Sequence, residues 1–347
     1  MGPRTDGPPP IKKMILPALF VGALFYVSFT RTPDGPQQMV LQGEALGTTW
    51  TLKVAGESQP DREDELRAVV EKALSEVDVS MSTYREDSEL MAFNRSDGLE
   101  PFAVSDLLGK VLGEAVDIGF TSGGAFDVTV GPLVNAWGFG PDKERTQPDR
   151  QTLESLQSRI GHDKLELTPN GITKDHPELS VDLSAIAKGF AVDLVVDRLV
   201  AAGAENVLME VGGEIVARGE NPNDHPWRLG IETPTETGRE VHHVVALRDA
   251  AMATSGDYRQ YYEVEGRRIS HLIDPRTSQP IEHRLASVTV IADRCSTADA
   301  WATALSVMGE IDGFELAEKL QLKAYFIVRN DTGGFSTQST RRFNELR

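Results

Sequence analysis

Cysteine is almost missing from this chain of 347 residues, where Cys295 stands alone. That excludes an internal disulfide and any zinc or iron–sulfur centre built on several thiolates. Cations are short as well: 35 Lys and Arg face 53 Asp and Glu, a formal charge of −18 spread along the chain. A protein that grips a phosphate backbone needs clustered cations, so the balance argues against nucleic-acid binding. Internal repeats are absent, which removes solenoids and propellers. What is present, 40% hydrophobic and 25% charged residues, is the balance of a globular protein able to bury a core.

The N-terminus is a separate case. Arg4, Lys12 and Lys13 precede an uncharged apolar run over 14–29, the arrangement of an export signal. The run is slightly short for a spanning helix. No small-x-small cleavage site follows it, so a retained anchor is favoured over a cleaved signal peptide. The positive flank places the rest of the chain outside the cytoplasm, on the periplasmic side of an inner membrane. The expected organisation is a basic cytoplasmic segment over 1–13, a signal or anchor over 14–30, a turn-rich linker over 31–39, and one large domain over 40–347.

Along that domain, alternation predicts a strand over 40–54, and apolar stripes predict helices beginning near Leu66 and over 105–120. Further helices are expected over 149–160, 185–202, 297–309 and 312–320, with strands from Leu165 and over 207–209, 227–231, 241–247, 269–273 and 287–291. The order is mixed, so the expected class is an α+β layered sheet-and-helix fold and not an alternating parallel one.

Four stretches carry residues with chemistry to offer. In STADAWATALSVM, from Ser296, the residues Asp299 and Thr303 stand four apart on one helical face. Two hard oxygen donors suit Mg²⁺, which accepts one or two protein carboxylates while waters and substrate phosphates complete its shell. Alternatively Asp299 supports the first helical turn and Thr303 back-bonds to a carbonyl. VDLSAIAKG, from Val181, runs from a strand end into a helix, where backbone N–H groups and Lys188 can cradle an anion and Asp182 can accept from a ligand. There the structural alternative is a capping Asp182 and a solvated Lys188. GGAFDVTVGPLVNAWGFGP, from Gly123, is long for a connector and sets Phe126, Trp137 and Phe139 among glycines, which suits a flat heteroaromatic ligand or plugs a core. Over 253–281, two strands meet at Glu265-Gly266, and His271 ends the second; it is a candidate proton acceptor or a hydrogen-bonded structural residue. Taken together, a cation site, an anion cradle, an aromatic loop and a base are the kit for attack on a pyrophosphate.

These stretches, with MSTYREDSELMAFN from Met81, VLMEVGGEI from Val207, ATSGDYRQYY from Ala253, SHLIDPRT from Ser270 and CSTADAWATAL from Cys295, resemble the ApbE family of FAD:protein FMN transferases, and they run in that family's order. The resemblance implies a fold of the ApbE type and an exported, Mg²⁺-dependent enzyme. Such an enzyme splits FAD and leaves FMN on a Thr or Ser of an acceptor protein by a phosphoester bond. It puts flavin contacts on Leu46, Tyr84, Ala125, Phe126, Asp127, Asp182, Lys188 and Ile273, and the metal on the Ala185 carbonyl and the Asp299 and Thr303 side chains. His271 falls where the family's proposed base lies, also against the ligand, so His271 and Asp299 are the expected catalytic residues. Leu46 stands where the family often has Met, Ser184-Ala185 replaces a Gly-Gly, and Ser278 replaces a Gly after DPRT, a change expected to stiffen that turn. Implied acceptors are subunits of redox complexes facing outside the cytoplasm; with no SGAT stretch in the chain, self-flavinylation is not expected. The same pocket residues would also serve a metal-dependent FAD pyrophosphatase or a non-catalytic extracytoplasmic FAD-binding protein.

Overall fold

The computed structural model describes residues 37–56, 60–97, 100–140, 147–235, 240–258, 260–264 and 266–346; the leader expected over 14–30 lies outside them. Where one strand was expected over 40–54, the chain forms a hairpin of β1 (Gln38–Ala45) and β2 (Thr48–Ala55). Periodicity cannot reveal the reversal, because hydrophobic alternation runs on through both strands. Leu46 (φ 53°) and Gly47 (φ 72°) make it, both left-handed as a two-residue primed turn requires.

α1 (Pro60–Met81) buries the predicted stripe of Leu66, Val70, Ala73, Leu74 and Val77. α2 (Glu89–Arg95) and α3 (Asp106–Thr121) start at Ser88 and Ser105, whose hydroxyls accept from the N–H groups of Met91 and Leu108. The glycine-rich stretch holds a short helix, α4 (Gly131–Ala136), and α5 (Arg150–Gln157) follows its Asp149 cap. Next come the hairpin of β3 (Leu165–Thr168) and β4 (Gly171–Lys174), α6 (Ala187–Ala201), and β5 (Val207–Val211) turning at Gly212-Gly213 into β6 (Glu214–Arg218). A further hairpin, β7 (Trp227–Glu232) with β8 (Val241–Leu247), precedes β9 (Ala250–Gly256). The small pairs β10 (Tyr261–Val264) with β11 (Arg267–Ser270) and β12 (Ile273–Asp274) with β13 (Gln279–Pro280) lead into β14 (Leu285–Ala292). The two C-terminal helices expected over 297–320 form one span, α7 (Cys295–Lys319), broken at Gly309. β15 (Lys323–Arg329), β16 (Phe335–Ser339) and α8 (Arg341–Asn344) close the chain.

Eight strands form one sheet in the order β1-β2-β5-β6-β9-β14-β15-β16, with every pairing antiparallel. Successive side chains leave opposite faces, and both faces are covered. Val207, Met209, Val288, Val290, Phe326 and their neighbours meet α1, α6 and α7. Leu208, Ile215, Ile291 and Ile327 meet Trp227, Leu229, Val245 and Leu247 of the β7–β8 hairpin. A third, smaller cluster joins Leu133 and Trp137 of the glycine-rich stretch to Tyr262, Ile269 and Ile273. The result is the expected α+β layered class. Among the described residues no helix is long and apolar enough to cross a membrane.

Candidate active site

The crossing of α6 and α7 decides the centre of the site. Gly189 on α6 lies so close to α7 that a Cβ would sit 2.4 Å from the Cys295 carbonyl oxygen. Through this gap the Gly189 N–H donates to Asp299 Oδ2 at 3.1 Å. Gly189 is the third residue of α6, where N–H groups have no acceptor inside the helix, so Asp299 caps the helix start from α7. Among the described residues no backbone donor is found on the Ala185 carbonyl, just before the helix, which leaves that oxygen as a candidate ligand donor. The aspartate reaches this position because α7 is capped from α6: Asp193 accepts from the N–H groups of Cys295 (2.8 Å) and Ser296 (3.0 Å).

Asp299 is 5% exposed, and burial raises its carboxyl above the ordinary carboxylate range, against the pull of Lys188 and the Gly189 hydrogen bond. Lys188 Nζ donates to Glu214 Oε1 at 2.6 Å. Burial likewise pushes Glu214 upward, Lys188 opposing and Asp299 adding to the shift. The Glu214 partner keeps Lys188 protonated in spite of its own desolvation. Glu214 Oε2 is buried without a hydrogen bond. Two buried carboxylates thus face one ammonium, a local excess of negative charge that a cation would balance.

The donors present fit Mg²⁺. Among the described residues no three His, Cys, Asp or Glu side chains gather as a metal cage. The candidates are instead one carboxylate (Asp299), one main-chain oxygen (Ala185) and one hydroxyl (Thr303), a sparse set of hard oxygens that leaves room for phosphate. Thr303 is half-buried one turn beyond Asp299 on α7.

Around this centre, the sequence-predicted contacts fall into two groups. Asp182 accepts from Ser184, both N–H (2.8 Å) and hydroxyl, and its own N–H donates to the Val128 carbonyl at 2.7 Å. This ties the anion-cradle segment to the GGAFD stretch. Ala125 and Phe126 are buried there. Both carboxylate oxygens of Asp127 are occupied, Oδ1 by the Thr129 N–H (2.8 Å) and hydroxyl (2.6 Å) and Oδ2 by the His162 N–H (3.1 Å). Its side chain therefore holds the loop, and burial raises its pKa. A Cβ on Gly212 would meet Thr48 at 2.9 Å and the Lys188 stem at 3.5 Å, so the Leu46-Gly47-Thr48 turn reaches this neighbourhood. Leu46 lines a cavity of about 390 Å³ with Trp50 and Asp78. Asp78 pairs with Arg85 at 3.2 Å, beside Tyr84, whose ring is 83% exposed.

The second group surrounds His271. Its Nδ1 lies 2.9 Å from the Gln260 carbonyl oxygen. A carbonyl only accepts, so Nδ1 carries the proton and Nε2 keeps a free lone pair. Burial lowers the imidazole pKa below 6.5, Gln260 and Asp257 opposing. Phe139 faces the ring edge-on at 6.2 Å, and Tyr262 Oη donates to the Trp137 carbonyl at 3.0 Å, so the aromatic stretch packs against the histidine hairpin. Ile273 is buried in the same cluster. Ser278 is left-handed (φ 61°), and its buried hydroxyl lacks a partner. The Asp182 segment meets the glycine-rich stretch near its start, at Val128, and the His271 hairpin meets it near its end, at Trp137 and Phe139.

Sequence reasoning missed Glu214, Gly189, Asp193 and Gln260. Glu214 left one legible signal, a carboxylate opening an otherwise apolar strand after Gly-Gly. The other three act through main-chain geometry that spacing does not encode.

A sparse set of hard oxygens beside an ammonium, together with a histidine packed against an aromatic loop, is a donor set compatible with a diphosphate ligand. Residues 46–326 match the model of the ApbE family, and the chain belongs to that family. It is 45% identical over 300 residues to a Vibrio cholerae protein named FAD:protein FMN transferase, covering 86% of this chain and 89% of that one. A Haemophilus influenzae protein of the same name is 44% identical over 314 residues, covering 88% and 90%. Among solved structures, the flavin transferase ApbE from Vibrio cholerae superposes with TM-score 0.82 at 43% identity, over 90% of this chain and 100% of that one. The apo Pseudomonas stutzeri flavinyl transferase ApbE gives 0.82 at 37% identity, over 91% and 98%.

Proposed function

We propose that this protein transfers FMN from FAD to a Thr or Ser hydroxyl of an acceptor protein, releasing AMP, and that the reaction requires Mg²⁺. The observation that carries the reading is the meeting of α6 and α7, where the buried Asp299 carboxylate, bonded to the Gly189 N–H, lies at the start of α6 with the Ala185 carbonyl and the Lys188 ammonium paired to Glu214. The names borne by the relatives at 45% and 44% identity support the same chemistry.

Asp299, Thr303 and the Ala185 carbonyl would hold the Mg²⁺ ion, which supplies charge neutralisation on the diphosphate. Lys188, kept protonated and held by Glu214, attracts the phosphates. The Asp182 and GGAFD segments, tied through Val128, would form the wall against which the flavin lies. His271 Nε2 accepts the acceptor's hydroxyl proton as that oxygen bonds to the FMN phosphorus, and the P–O bond to AMP breaks. Water competes for the same phosphorus, so docking of the acceptor decides between transfer and hydrolysis. We extend the reading to location: the protein works on the outer side of the membrane, held by its N-terminal segment, on exposed redox-complex subunits.

Incubation with FAD, Mg²⁺ and an acceptor fragment, followed by a denaturing gel, tests the reading. A fluorescent acceptor band is expected. Free FMN and AMP without labelling would mean a pyrophosphatase, and unchanged FAD would mean a carrier.

A further inference from the structure

We propose that Asp257 is a positioning residue for the transfer step, clamping the hairpin that carries His271 through Arg268 and Arg329; the proposal rests on His271 being the base. Asp257 follows β9 and is 5% exposed, and a carboxylate so buried persists only where it is paired. Arg329, ending β15, grips both of its oxygens, Nη1 to Oδ2 at 3.2 Å and Nη2 to Oδ1, while Nη1 also donates to the Leu285 carbonyl at 3.2 Å. β14 lies between β9 and β15, so this pair ties three strand ends of the large sheet together. From the other side comes Arg268 of β11. Its Nη2 donates to the Asp257 carbonyl at 2.7 Å, its Nε is 3.8 Å from Oδ2, and its guanidinium lies 3.8 Å from the Tyr261 ring centre.

The β10–β11 pair is a two-stranded sheet of its own, with no ladder to the eight-stranded sheet. Two strands alone are marginal, so the orientation of the pair depends on its tethers. These include the Tyr262 hydroxyl donating to the Trp137 carbonyl, the packing of Phe139 on the Tyr262 ring and the exposed Arg267–Glu282 pair; the buried charged one is the Arg268–Asp257–Arg329 chain. His271 comes directly after β11, and both its N–H and its Nδ1 bond to Gln260, just before β10. The imidazole is thus locked to the hairpin, and whatever aims the hairpin aims Nε2. The clamp is near enough for its charges to be felt at the ring, Asp257 favouring and Arg268 opposing the protonated form. Displacement of a general base by about 1 Å is enough to cost orders of magnitude in rate, while FAD bound at the Asp299 and Lys188 centre would not sense it.

The test uses the full chain carrying Asp257→Asn, which keeps the shape and loses the charge. Three quantities are read: kcat for flavin transfer, KM and Kd for FAD, and amide hydrogen exchange across 260–271 by mass spectrometry. The expected result is a kcat at least about tenfold lower, FAD constants within about twofold of wild type, and faster exchange confined to 260–271, with Asp257→Glu recovering part of the rate. Wild-type kcat, unchanged exchange over the hairpin, or a parallel loss of FAD affinity would each overturn it. If Asp257→Asn does not fold, Arg329→Lys decides on the same readouts: hairpin exchange at the wild-type rate overturns the clamp. Absence of transfer by the wild-type protein would defeat the reading of its function, while the exchange measurement still judges the clamp.

Discussion

In the proposed reaction His271 is fitted to act as the base by one carbonyl and one wall. Gln260 fixes the proton on Nδ1, and burial disfavours the imidazolium, so the ring is neutral at pH 7 with Nε2 free. The step that His271 contributes to the pH–rate profile should therefore lie in acid, at an apparent pKa below 6.5, the ordinary value from which burial lowers it, apart from any step of Glu214, pushed up to about 7; an imidazole titration above 6.5, followed by NMR of the His271 ring, would contradict the assignment. The linkage has the same sign. The unfolded chain takes a proton on this ring before the folded chain does, so the histidine's contribution to stability is present above the unfolded pKa and is lost as pH falls. His271→Ala should slow transfer by about 10²–10⁴-fold while FAD affinity, read by titration, falls far less. At Asp299 two roles separate by substitution. Asn keeps an acceptor for the Gly189 N–H and loses the charge, so Asp299→Asn should melt within a few degrees of wild type and lose Mg²⁺-stimulated turnover; retained stimulation would remove Asp299 from the metal. Ser278 is a residue under avoidable cost, left-handed with an unpaired buried hydroxyl. Ser278→Gly should raise stability by about 1 kcal/mol, readable in a urea titration.

Among the elements, α7 is the one whose interruption matters. Gly309 takes φ 87° and ψ −179° in mid-span, and a Cβ there would stand 2.7 Å from the His283 ring. A helix running straight on would carry its second half away from the sheet; the break turns it so that Ala317 is buried in the helix-side core. Gly309→Ala should destabilise by about 2 kcal/mol or more, from the left-handed backbone and the ring contact together, measured as a lower melting temperature with the site residues untouched. Gly189 is the corresponding point on α6, where the contact is with backbone and cannot be relieved by a rotamer change.

At the scale of the molecule, one antiparallel sheet serves two cores, and alternate residues of the same strand answer to each. Phe326 is fully buried on the helix side, and Ile327 equally so on the hairpin side. Phe326→Ala should cost about 3–5 kcal/mol. Because the strand is shared, both faces should melt in one transition when followed separately by Trp301, on the helix side, and Trp227, on the hairpin side. Two separated transitions would mean that the faces fold independently. The sheet also brings the centre together: the Leu46-Gly47 and Gly212-Gly213 turns lie at the same end of paired strands, where Gly212 approaches Thr48 and the Lys188 stem at the start of α6.

Composition, periodicity and motif order sufficed for the α+β class and for helix starts such as Ser105 and Asp149, because these depend on neighbours a few positions away. The β1–β2 reversal escaped, since an alternating pattern looks the same before and after a two-residue turn. Glu214, the capping of α6 by Asp299 and the tautomer of His271 were decided by tertiary structure alone. Each is a meeting of groups far apart in the chain, such as Gly189 with Asp299 and Lys188 with Glu214, and burial at those meetings sets the charges on which the chemistry runs.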